Sequence, residues 1–183
     1  SRPQFKPWNG HSFQPIYDNI PRVRCIGDGS FVLVGAANKG LLVFEKNSQT
    51  GIQIPLHGIK DAGNYTVTSI AYDPSDRLTW IMVLNVGLCQ YDMKKKSLQM
   101  INATIKESDC LKVDSKGNVW MGNENGLFQY DKKNNRFSKN ILPSKYRVIQ
   151  VFEDRQHTLW IASDGGGVWF MPLNTLQAQP YLS

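Results

Sequence analysis

The sequence has few of the residues that do most protein chemistry. Its three histidines, His11, His57 and His157, are scattered over 183 residues, and none stands with a nucleophile or a second histidine at the spacing of a catalytic or metal centre. Three cysteines, Cys25, Cys89 and Cys110, show no metal-ligand spacing and are odd in number. Free buried thiols are the expectation, and one disulfide stays open for an oxidising compartment, its pair unspecified. No metal and no cofactor is expected. No apolar run reaches the length of a membrane span, so this segment is not expected to enter a bilayer. The opening SRPQFKPWNG is no signal peptide and reads as the interior of a protein, which places any targeting segment elsewhere. Helix-forming periodicity is missing too, since no segment keeps the three-to-four apolar spacing over ten residues without a glycine or an Asp-rich break.

A concentrated charge of one sign is also lacking. Lys and Arg outnumber Asp and Glu by 21 to 15, a net charge of +6. The basic residues are dispersed, however, with small clusters only at Lys94–Lys96 and Lys132–Lys133 in turn-like segments. Nucleic acid is therefore not an expected partner. A hydrophobic content of 41% with 20% charged residues describes a folded domain of ordinary composition.

What is present is a repeat. Trp80, Trp120 and Trp160 are spaced by 40 residues. Asp114 and Asp154 stand six residues before their tryptophans, and Asp73 stands seven before Trp80 because its turn has one more residue. The earliest copy, VRCIGDGSFVLVGAANKGLLVFEK, has Leu33 at the tryptophan position. Each copy reads as an apolar run, an Asp-led turn, a second run with tryptophan or leucine, a turn closed by Gly40, Gly87, Gly126 or Gly167, and a third run. A weaker fourth run follows in GIQIPL, SLQMINATI and RFSKNILP. Four short strands at this period predict an all-β fold of β-propeller blades, each a four-stranded antiparallel repeat.

The triple glycine Gly165–Gly167 tests that reading. A phosphate-gripping loop would open a helix, but VWFMP follows, which is strand-forming, so the glycines are expected to turn a corner between strands. A sandwich or barrel would show one wet face per strand, whereas GLLVF and GVWFM are apolar at successive positions, as in sheets packed on both faces. The chain is thus expected to be a single propeller segment, residues 1–183, with repeats at about 24–56, 67–105, 108–142 and 147–182. SFQPIYDNIPRV resembles RFSKNILPSKYRV, so residues 1–23 are expected to carry the outer strand of a preceding or ring-closing blade. Self-association through the terminal blades, or union with the rest of a larger propeller, follows as an expectation.

VFEDRQHTLWIASDGGGVWFMP and VDSKGNVWMGNENGLFQYD resemble the repeat of the two-component regulator propeller family. The resemblance covers residues 24–175. It departs from the family at Leu33, at Met82 and Ala162 where glycine usually follows the tryptophan, and at His157 in place of a turn glycine. It implies the periplasmic sensor region of a hybrid two-component histidine kinase, a segment that binds oligosaccharides and does no chemistry itself. Two other classes stay open: a protein-binding scaffold of the WD-repeat kind, and a carbohydrate-active propeller enzyme.

The repeat motif is structural, so binding residues are sought from topology. Loops between second and third strands share a face with the loops that link blades. That face should carry Asn38, Lys39, Asn85, Asn123, Glu124, Asn125 and Asp164, with Tyr146 and Arg147 from a linking loop. Amides, carboxylates, a cation and an aromatic suit sugar hydroxyls. Lys39 and Arg147 tilt the expectation toward acidic sugars. Trp120 and Trp160 are both expected to be buried between blades, and Asp114 and Asp154 to serve their own turns.

Overall fold

The computed structural model describes residues 23–27, 31–45, 51–59 and 62–181. The apolar runs become strands and the Asp- and Gly-led segments become turns. The first sheet contains β1 (Val23–Gly27), β2 (Phe31–Ala36), β3 (Gly40–Glu45) and β4 (Ile52–Ile54), and the second β5 (Val67–Asp73), β6 (Leu78–Val83), β7 (Gly87–Asp92) and β8 (Ser97–Asn102). The third contains β9 (Cys110–Val113), β10 (Val119–Asn123), β11 (Gly126–Asp131) and β12 (Arg136–Phe137), and the fourth β13 (Arg147–Glu153), β14 (Thr158–Asp164), β15 (Gly167–Pro172) and β16 (Gln179–Tyr181). Every sheet is an antiparallel meander in chain order. These are four β-propeller blades. The expected strand in residues 1–23 lies outside the described residues up to residue 22.

Because side chains alternate across a strand, each sheet offers one face to the blade before it and one to the blade after. Leu33, Leu41 and Val43 of the first blade share a core with Ile81, Val83, Cys89 and Tyr91 of the second. Trp80, Met82 and Leu88 of the second pack on Val119, Met121 and Tyr130 of the third. Trp120 and Leu127 of the third pack on Val148, Val151, Leu159 and Ile161 of the fourth. The inner strands follow the same order, β1 on β5, β5 on β9 and β9 on β13, and among the described residues no such packing returns from β13 to β1. The four blades, as far as the described residues go, therefore form an arc.

The arc's end corrects one expectation. Trp120 is fully buried, but Trp160 is only partly covered, because among the described residues no blade packs against the outer face of the fourth. Its face is open: Phe152 is 58% exposed, Val168 41% and Tyr181 50%. For the same reason GVWFM is packed on one face, through Trp169 and Met171, and open on the other. Trp160 instead leans on Phe170 and Tyr181 of its own sheet, with ring centroids 5.9 and 5.1 Å away.

The Asp–Trp spacing has a cause beyond the turn. Asp114 Oδ1 accepts from the backbone N–H groups of Lys116 and Asn118, which fixes the turn, while Oδ2 accepts from Trp120 Nε1 at 2.8 Å. Asp154 repeats this, taking the N–H groups of Gln156 and Thr158 on Oδ1 and Trp160 Nε1 on Oδ2 at 2.7 Å. With one more residue in its turn, Asp73 does not reach Trp80, whose buried Nε1 has no partner. Asp73 is held instead by Ser75 and by Lys132 of the next blade at 3.3 Å, and Lys132 Nζ lies 5.4 Å from the centroid of the Trp80 ring.

The triple glycine turns a corner, as expected. Gly165 and Gly167 have φ of 77° and 71°, a region that a side chain with a Cβ resists. Gly166 is needed for space, because a Cβ there would sit 2.5 Å from Tyr146 Cγ. His157 has φ of 58° in the turn where the preceding blade has Gly117 at 78°. Cys89 is a buried free thiol that burial pushes up to about 12, and Cys110 is half-buried, its thiol facing the Val148 carbonyl at 3.9 Å. The side chain of Cys25 lies outside the described set.

Candidate functional site

The topology brings five of the nine proposed residues together. Asn85 from the β6–β7 turn, Asn123, Glu124 and Asn125 from the β10–β11 turn, and Arg147 at the start of β13 line one cavity of about 690 Å³. The linking segment between the second and third blades completes it with Thr104, Ile105, Lys106, Glu107 and Asp109, and Phe128 adds an aromatic wall. Backbone bonds stitch the linker in place: Asn85 N–H donates to Lys106 O at 3.0 Å and Asp109 N–H to Gly122 O at 2.9 Å. Asn125 N–H donates to Asn123 Oδ1 at 2.8 Å, which shapes the turn, and Asn125 Nδ2 donates to Glu124 Oε1 at 3.2 Å. These bonds fix the shape of the cavity wall within the chain itself.

Arg147 is engaged. Its Nε donates to Asp109 Oδ2 at 2.9 Å and its Nη2 to Asp109 Oδ1 at 2.7 Å, the two-pronged pairing of guanidinium with carboxylate. These bonds, and then the charges of Asp109, Asp164 and Glu107, hold Arg147 above its ordinary value.

The other four proposed residues lie outside the cavity. Asn38 bonds Thr66, its N–H donating to Thr66 Oγ1 at 3.0 Å. The Lys39 carbonyl accepts from Gln53 Nε2 at 2.9 Å. Tyr146 packs beside Trp169, ring centroids 5.9 Å apart, and fills the space that Gly166 leaves. Asp164 is exposed, and it pairs with Arg147 in the strand register. Sequence reasoning missed the linker Thr104–Asp109 and Phe128. The signal for the linker was available, since the topology that selected Tyr146 and Arg147 selects the preceding linking loop as well.

On the opposite face, a cavity of about 680 Å³ is lined by Lys116, Lys132, Lys133, Arg136, Asp76 and Asp131 among others. Near it Ser115, His157 and Glu153 meet across the third and fourth blades. Glu153 accepts from Ser115 N–H at 2.7 Å and Ser115 Oγ at 2.5 Å, and His157 Nδ1 lies 2.9 Å from Ser115 Oγ and 3.0 Å from Glu153 Oε1. Burial pushes Glu153 up, and the Ser115 and His157 hydrogen bonds outweigh it, leaving it below the usual carboxylate range. A serine–histidine–carboxylate relay needs one imidazole nitrogen on the serine and the other on the acid. Here Nδ1 faces both, so the trio ties two blades together. Among the described residues no group of three His, Cys, Asp or Glu could hold a metal ion.

Comparison with known proteins gives the arc its context. The extracellular domain of a hybrid two-component system from B. thetaiotaomicron superposes with a TM-score of 0.72 over 93% of this chain and 24% of that domain, at 20% identity. The chain shares the fold of this extracellular domain. A second such domain from the same organism gives 0.60 over 89% of this chain and 24% of its own length, at 16% identity. A histidine kinase of Formosa agariphila is 30% identical over 69 residues, 32% of this chain and 5% of the kinase. The same blades also match hydrazine synthase of Kuenenia stuttgartiensis, with a TM-score of 0.62 over 84% of this chain and 46% of that one, at 15% identity. The chain thus spans about a quarter of the extracellular domains it matches. No protein-family profile matches it.

Proposed function

We propose that this chain is a ligand-reading segment of an extracytoplasmic, periplasmic sensor of the two-component kind, and that it binds an oligosaccharide without altering it. The observation that carries the reading is the cavity between the second and third blades. Asn85, Asn123 and Asn125 offer side-chain amides that both donate and accept, as vicinal hydroxyls require, and Ile105 and Phe128 give apolar wall for the face of a sugar ring. The likeness to sensor ectodomains and to part of a histidine kinase supports the class of protein. The open Trp160 face extends the reading. It continues a stacking interface used three times within the arc, so we read it as the seat of a further blade of the same repeat.

The test is calorimetric titration of the chain against a broad panel of oligosaccharides, run beside a reducing-end assay. Saturable binding with no new reducing ends is expected. Turnover would replace the sensor with an enzyme, which the match to hydrazine synthase keeps as a different use of the same fold. Failure of every glycan, with a protein bound instead, would favour the scaffold.

A further inference from the structure

The charge inside the cavity says which glycans it accepts, given the reading of that cavity as a glycan site. Five charged side chains line it: Glu107, Asp109 and Glu124 against Lys106 and Arg147. Sequence reasoning counted Arg147 and Lys39 as cations free for an acidic sugar. The structure alters both, because Lys39 is outside the cavity and Arg147 is turned onto Asp109 through its Nε and Nη2. What remains to meet a ligand is Glu107 and Glu124 against Lys106, all three exposed. A uronate or sulfate entering here would meet a guanidinium whose charge Asp109 already balances and two further carboxylates, Glu107 and Glu124, in the same lining. A hydroxyl meets no such opposition, and an ammonium finds two carboxylates.

We propose that the cavity between the second and third blades selects neutral and amino-bearing glycans and rejects uronic and sulfated ones. Discrimination resides in Glu107 and Glu124 together with the closing of Arg147 by Asp109.

The test uses glycans paired by charge, printed as an array and probed with the full 183-residue chain: oligogalacturonates beside their carboxyl-reduced forms, and O-sulfated chitosan oligomers beside unsulfated ones. Uncharged or amino members should bind at least about tenfold more tightly than their acidic partners, with the gap narrowing as salt is raised. The double substitution Glu107→Gln with Glu124→Gln changes two exposed side chains without altering their shape, so the fold should persist. It should narrow the gap several-fold, and Asp109→Asn, which frees the guanidinium, should narrow it further by admitting acidic members. Acidic glycans binding as well as or better than their partners would overturn the selectivity while leaving the glycan site standing. An array on which nothing binds would overturn the site as well.

Discussion

Trp120 and Trp160 occupy the same place in consecutive blades and make the same bond, yet only one is buried. Each donates its indole N–H to an aspartate six residues earlier, at 2.8 and 2.7 Å. Trp120 lies in a core closed by the fourth blade, whereas Trp160 faces outward beside exposed Phe152 and Tyr181. The hydrogen bond is thus a property of one blade and follows from local spacing. Burial is a property of two blades and depends on a neighbour. Trp80 completes the contrast, being buried by its neighbour and deprived of the bond by one extra residue in its turn.

Substitution separates the two contributions. Trp120→Ala removes a fully buried indole and leaves a cavity, for which a loss of about 3–5 kcal/mol is expected, against about 1 kcal/mol for Trp160→Ala. Denaturant melts of the two variants check this, and equal losses would mean that Trp160 is covered in solution. Asp114→Ala should come next, at about 2–3 kcal/mol, since it strands the buried Trp120 N–H and unties the turn. Asp154→Ala should cost clearly less, because water can replace the aspartate at the half-exposed Trp160. The smallest effect concerns assembly. The isolated chain should associate weakly through the Trp160 face, visible by light scattering at high concentration and abolished by Phe152→Glu, and a monomer at every concentration would remove that face as a blade seat.

The blades were legible in the sequence because each carries its own instructions: the 40-residue tryptophan spacing, the Asp-led turns and the closing glycines Gly40, Gly87, Gly126 and Gly167, all of which take positive φ. The constant distance from Asp114 to Trp120 and from Asp154 to Trp160 was legible too, but it was read as turn chemistry alone. A six-residue spacing kept in two repeats and broken at Asp73 could have predicted that the Trp80 indole lacks an aspartate partner. The cavity was only half legible. Topology put Asn85, Asn123, Glu124, Asn125 and Arg147 on one face, but which loops converge depends on the packing of the second blade on the third, and that set Asn38, Lys39, Tyr146 and Asp164 aside. The pairing of Arg147 with Asp109 joins residues 38 apart in the chain, and no local pattern announces it. That pairing is why we propose neutral and amino-bearing glycans where the sequence pointed toward acidic sugars.

Hydrogen exchange followed by mass spectrometry tests most directly whether a glycan binds in the cavity between the second and third blades. With the best-binding oligosaccharide of the panel present, amides of residues 103–109 and 123–126 should be protected, while the turns at residues 114–118 and 131–135 on the opposite face exchange as before. Protection confined to that opposite face, beside Lys116, Lys132 and Lys133, would contradict the account.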